Sequence, residues 1–365
     1  MMIAAFTSPA ASLLRKLPSV SLWAIAAAHV LLLVSFLLVL ATAVPARAET
    51  GCTGQNLLDA LKQDDPQRYA AMLAEGNEVP NGKGLLWRIE RDDVAPSYLL
   101  GTMHVSDPRV LRMPDGAADA HRAARTIIIE SDEILDEKKA MAALLAKPEL
   151  TMFTDGNSIE SLLPKDDLAI LEAGLKEKGI PLGAVSRMKP WMLASFVALP
   201  ACEASRKAAG AMFLDKKIAL DAIAGGKAVK GLETLAEQLT AMTELPLEFH
   251  LQALVETVKL GERMDDIVET MTQLYLKGET GLTIPALKAV TPATDGGDES
   301  AYVAFESAII SKRNHRMAER AAPLLAGGHV FMAVGALHLP GEDGLVELLR
   351  GQGFTVTAVN RPVRE

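Results

Sequence analysis

The chain has 365 residues, 49% of them hydrophobic and 4% aromatic, and a formal net charge of −9 with histidines neutral. At roughly 100–200 residues per domain it holds one large domain or two ordinary ones. Residues 1–48 contain three basic side chains and no acidic ones, so the remainder carries 34 − 46 = −12, and a chain this acidic lacks the basic face that a nucleic-acid partner requires.

Residues 1–48 read as a secretory signal. Arg15 and Lys16 precede an uncharged apolar run, and Ala46-Arg47-Ala48 resembles an A-x-A cleavage site, which puts the mature start near Glu49. The run also exceeds the ~20 apolar residues that span a bilayer, so an uncleaved anchor is the alternative and the one expected contact with a membrane. In either case the basic residues ahead of the run predict export of the rest, to the periplasm or beyond. Cys52 and Cys202 both fall in the exported part. An oxidising compartment permits a disulfide between them, with two separate thiols as the other reading.

"CTGQNLLDALKQDDPQRYAAMLAEG" (52–76) reads as two short helices. "LLWRIERDD" and "PSYLLGTMHV" follow as a strand pair. A helical "DGAADAHRAA" and the β-branched "RTIIIESDE" complete a strand-helix-strand unit, which predicts a parallel pair. From about 135 to 280 the pattern is helical, and Leu247, Leu251, Leu254, Val258, Ile267, Met271 and Leu274 fall near one stripe. The short strand "KAVKGLET" interrupts this stretch. "KAVTPATDGGDES" (288–300) reads as a loop. The helix "YVAFESAIISKRNHRMAERAAPLL", the strand "HVFMAVGALHL", the helix "GEDGLVELLRGQG" and the strand "FTVTAV" close the chain. The expected fold is mixed α/β: residues 49–365 form a mainly parallel sheet from both ends of the mature chain, with a helical subdomain inserted at about 135–280.

Two apolar strands exit into Gly-x-x-His, at Gly101–His104 and Gly335–His338. Ligands of open parallel sheets bind outside the carboxyl ends of strands, and paired imidazoles there can bind a metal or move protons. A lone strand-end histidine is more often a hydrogen-bonded structural residue; the repeat is what favours function. Glu130 ends "RTIIIE" and could ligate a metal or activate water, although Asp132 and Glu133 follow closely and a charge closing a strand is the plain alternative. Arg313 and Asn314 in "KRNHRMAER" could bind a carboxylate or stabilise an oxyanion, or form a solvated helix face. Glu233 follows a short strand, where a helix cap is the simpler role. The chain has no Walker A loop, no dinucleotide G-x-G-x-x-G, no H-E-x-x-H and no G-x-S-x-G, so no nucleotide cofactor is expected.

"GTMH", "IIIESD" and "GALHLPGEDGL", with "LDKKIALDAIAGGKAVKGLETLAEQ", "KRNHRMA" and "CTG", resemble the TraB/GumN family from Cys52 to about Val359. That family is similar to the TIKI metal-dependent proteases and, more distantly, to the erythromycin esterase and ChaN-like superfamily. The resemblance implies a cleft between a sheet and a helical part, with His104, Glu130 and His338 at its core and Arg313, Asn314 and Glu233 in support. The expected function is an exported hydrolase acting on a peptide or small molecule. His104, Glu130 and His338 would hold a divalent ion, with Mn, Co, Fe and Zn all suited to such a donor set. A metal-independent esterase-like hydrolase and a non-catalytic ligand- or metal-binding accessory protein are the alternatives.

Overall fold

The computed structural model describes residues 52–291 and 299–359. The expected signal segment lies outside these residues, as do residues 292–298 of the expected loop. Six strands form one sheet: β1 (Leu86–Glu90), β2 (Ser97–Thr102), β3 (Thr126–Ile129), β4 (Ala228–Gly231), β5 (Val330–Gly335) and β6 (Thr355–Ala358), in the spatial order β4-β3-β5-β2-β1-β6. β4, β3, β5 and β2 run parallel, while β1 pairs antiparallel with both β2 and β6. The sheet is mainly parallel, as the sequence predicts; five of its strands come from the two ends of the chain, and β4 comes from within the helical stretch.

The pairing of the strand-helix-strand unit differs from expectation. β2 and β3 are parallel, but β5 lies between them and bonds to both. β5 takes a central place because Val330 to Val334 are all apolar and buried; a strand without a polar face belongs where both sides are covered. β4 alternates exposed and half-buried positions and takes an edge.

Strand side chains alternate between the two faces. Leu99, Ile128, Met332 and Val334 pack against Met317, Ala318 and Ala321 of the helix Lys312–Leu325. Leu100, Ile127, Ile129, Phe331 and Ala333 pack against Leu214, Ile218, Ala219 and Ala222 of the helix Leu214–Ala224. Helix Leu214–Ala224 therefore comes from the helical stretch of the sequence and serves as a covering layer of the sheet.

The expected stripe from Leu247 to Leu274 is two helices, Leu247–Leu260 and Arg263–Leu276, because Gly261 enters the left-handed region (φ 51°) and ends the first. Leu254 packs with Phe153, Leu171 and Leu193, whereas Ile267 and Leu274 pack with Leu58, Met72 and Ala286. One apparent stripe thus serves two cores. The two N-terminal helices form as read, at Leu57–Asp64 and Pro66–Glu78, capped by Asn56 and Asp65. Cys52 and Cys202 form a disulfide that ties this region to the helix Ala201–Ala208. Residues 288–290 finish the helix Thr283–Val290 and do not open the loop. Among the described residues no helix is long and apolar enough to cross a membrane.

Candidate functional site

Parallel strands share one carboxyl edge, and each of the four parallel strands is followed there by a residue singled out from the sequence. Glu233 follows β4, Glu130 follows β3 directly, His338 ends the 3₁₀ turn Ala336–His338 after β5, and His104 follows β2. Helix Lys312–Leu325 brings Arg313 and Asn314 from one layer. Helix Leu214–Ala224 brings Asp215 from the other. Arg313 and Asn314 are adjacent in sequence yet both buried, just after the π-helical turn Ser307–Ser311; such turns recur at functional sites.

The two motif glycines have different reasons to be glycine. A Cβ on Gly101 would come within 3.0 Å of Leu339 and 3.1 Å of Ala336, so the turn of the second motif rests on the first motif's glycine. A Cβ on Gly335 would come within 3.2 Å of Glu130 Oε1. Each Gly-x-x-His exit therefore leaves room for another part of the site.

Glu130 lies at the centre. Its Oε1 accepts the Gly335 N–H at 2.7 Å and stands 3.8 Å from His104 Nε2 and 3.9 Å from His338 Nε2. Its Oε2 accepts from Arg313 Nη2 at 2.7 Å and from Gln238 Nε2 at 3.0 Å. Arg313 also donates to Glu233 Oε2 through Nε at 2.9 Å and Nη2 at 2.7 Å, and Arg316 donates to Glu233 Oε1 at 3.1 Å. Glu233 is not a cap: Thr234 and Glu237 form the capping box of the next helix.

His338 is buried, and its Nδ1 lies 2.6 Å from Asn314 Oδ1. An amide oxygen only accepts, so the Nδ1 carries the proton and Nε2 keeps its lone pair. The amide nitrogen of Asn314 donates to the Asp343 carbonyl at 2.8 Å. His104 is the open member of the site, with 52% of its side chain exposed, and its Nε2 is 3.6 Å from Asp215 Oδ1.

The environments split the two histidines. Burial pushes His338 down to about 4, against the pull of Glu130 and with the repulsion of Arg313 and His104. Loss of water on the side facing Asp215 and Glu130 acts to lower the half-exposed His104, but Asp215 and Glu130 outweigh it and raise the ring to about 9. Burial works against an ionised Glu130; His338, His104, Arg313 and the Gly335 N–H overcome it and hold the carboxyl at about 2.

All six residues expected from the sequence thus fall in one connected network. Arg313 donates to Glu130 and Glu233 through Nε and Nη2, with Nη1 3.4 Å from the Ile309 carbonyl, and Asn314 engages His338 and Asp343, so both hold other residues of the site. Sequence reasoning missed Asp215 and Gln238. Asp215 opens a helix, where an acidic residue is ordinary dipole compensation, and no local signal marks it as facing the strand ends.

The donors fit a divalent ion in kind: two imidazoles and carboxylates, a free His338 Nε2 with its other nitrogen held by an amide, and a buried Asp215 Oδ2 without a hydrogen-bond partner. As the side chains stand, no group of three or more His, Cys, Asp or Glu among the described residues is placed to hold one.

Fold and site together define a mixed α/β protein that gathers histidines and carboxylates at the carboxyl edge of a mainly parallel sheet. The chain belongs to the TraB/PrgY/gumN family, which it matches over residues 85–358, from the start of the sheet to its last strand. It is also similar to proteins named as metalloproteases: a TIKI homolog of Nematostella vectensis (24% identity, covering 78% of this chain and 69% of that one), TIKI2 of Xenopus tropicalis (24%; 74% and 59%) and TIKI1 of Homo sapiens (24%; 77% and 63%). The chain thus spans about six- to seven-tenths of the length of these relatives. No solved structure matches it.

Proposed function

We propose that the protein is an exported, divalent-metal-dependent hydrolase of peptide-like bonds. The observation that carries the reading is the convergence of His104, Glu130 and His338 from three parallel strands, with pairwise approaches to Glu130 of 3.8 and 3.9 Å. The names of the TIKI relatives support a metalloprotease-like chemistry. A disulfide supports an oxidising compartment.

His104, His338 and Glu130 would hold the ion, which when bound polarises a carbonyl and acidifies water. The protein's own part is to prepare these ligands. Asn314 fixes the His338 tautomer, so that a lone pair and not a proton points toward Glu130. His338, His104, Arg313 and the Gly335 N–H keep Glu130 ionised, and the hydrogen bonds from Gly335, Arg313 and Gln238 fix its plane. His104, half-exposed, is the member of the site that solvent, and so a substrate, would reach.

The contacts of His104 favour a second, metal-independent reading. Paired with Asp215 and Glu130, a protonated His104 can donate to a leaving group while neutral His338 takes a proton from water.

The test is hydrolysis of an internally quenched peptide library and p-nitrophenyl acetate by wild type, His104→Ala and His338→Ala, with Mn, Co, Fe or Zn and after chelation. Cleavage that chelation abolishes, and that falls at least ~100-fold in both variants, is the expected result. Cleavage that survives chelation but needs both histidines selects the metal-independent reading. Stoichiometric metal lost from both variants, with no cleavage by wild type, would make the protein a metal-binding accessory. Equal hydrolysis by all three proteins removes the site from the chemistry.

A further inference from the structure

We infer that Asp215 is the positioning residue of His104, anchored by Thr102 of the same Gly-Thr-Met-His motif; the inference deepens the proposed site and rests on it. Asp215 is only 2% exposed, and acidic side chains are almost never so buried unless paired. It does not cap its own helix, whose N-terminus has no side-chain cap. Its Oδ1 instead accepts from Thr102 Oγ1 at 2.8 Å and faces His104 Nε2 at 3.6 Å. Its Oδ2 is buried with no partner, and leaving a buried acceptor unmatched is destabilising. A core carboxylate serving stability alone would satisfy both oxygens.

The same helix start supplies a second restraint. The Phe213 ring lies 5.2 Å from that of His104, tilted at 58°. Phe213 and Asp215 thus confine a ring that is otherwise half in solvent, one by packing and the other through a ring nitrogen. His338 is held differently, by Asn314 at Nδ1 from the opposite layer of the sheet. Each motif histidine therefore has its own holder. Thr102 has no hydroxyl counterpart in the second motif, where Ala336 occupies the matching position.

The measurement is the ring ¹⁵N–¹H spectrum of His104 in full-length protein without added metal, with kcat and KM on any internally quenched peptide that wild type cleaves. Asp215→Asn preserves volume and an oxygen for Thr102. Its His104 ring signals are expected to shift and broaden, with kcat down about 10–100-fold, the usual cost of losing a group that orients a site histidine, and KM within about threefold. Thr102→Val is expected to change the same signals to a smaller degree, and it carries the test if Asp215→Asn does not fold. Ring signals identical to wild type in a folded variant overturn the inference, whatever happens to the rate. If wild type cleaves nothing, the hydrolase reading falls while the ring spectrum still decides the role of Asp215.

Discussion

At the residue scale, the site is a chain of buried charges whose members need one another. Glu233, whose side chain is fully buried, is matched by Arg313 and Arg316, and Arg313 is shared with Glu130. Removing one partner of such a group strands the others in a poorly solvated place, so Glu233→Ala should lower unfolding stability by about 3 kcal/mol in urea titrations; a loss below about 1 kcal/mol would show the network to be loosely held. The histidines predict the pH dependence. His338, lowered from 6.5 to about 4, is neutral in the fold where the unfolded chain binds a proton, so stability falls as pH drops from 6.5 through 4. Glu130, held at about 2, adds a contribution that is present above 4.5 and lost as pH falls through 2. His104 is the reverse case: raised from 6.5 to about 9, its contribution is complete below 6.5 and lost as pH rises through 9. Thermal melts of His338→Gln should lose much of the acid-side decline, and those of His104→Gln the alkaline one; an unaltered acid side in His338→Gln contradicts the burial account.

At the element scale, the strand exits define the site. Gly335→Ala would press a methyl against Glu130 Oε1 at 3.2 Å, and Gly101→Ala would press one against Leu339 and the 3₁₀ turn at 3.0–3.1 Å. Each should cost about 1–3 kcal/mol in chemical denaturation, and Gly335→Ala should also impair hydrolysis because it moves the central carboxylate. Equal activity in Gly335→Ala and wild type would show that Glu130 tolerates displacement. The sheet and its exits were legible in the sequence because apolar β-branched runs ending in Gly-x-x-His are local signals. The place of β5 between β2 and β3 was not, since chain order says nothing about which strand fills the gap between two parallel neighbours. The break at Gly261 was hidden for a related reason: a stripe of constant period can serve two cores when one residue redirects the chain. Asp215 was illegible because its meaning depends on which face of the sheet its helix covers.

At the scale of the whole molecule, the sheet takes strands from both ends of the chain and the disulfide joins Cys52 to Cys202 across 150 positions. A loop of that length gives up to about 5 kcal/mol in the chain-entropy picture. Cys202→Ser should therefore lower the unfolding midpoint markedly, and the wild type should show the same loss under reductant; melts that ignore reductant would mean that the link does not hold the fold. Glu203, next to Cys202, accepts the Ser106 N–H and hydroxyl at 2.6 and 2.8 Å, so the disulfide-bonded helix also holds the loop that carries His104. In the proposed function, histidines from the two halves of the chain serve one reaction. Residues acting as a unit give non-additive losses. The most direct measurement is thus a double-mutant cycle of kcat/KM for His104→Ala, His338→Ala and the double variant on one cleaved peptide. Each single variant should lose at least ~100-fold, and the double variant should fall little further. Losses that multiply, or a single variant with wild-type activity, would contradict a shared site.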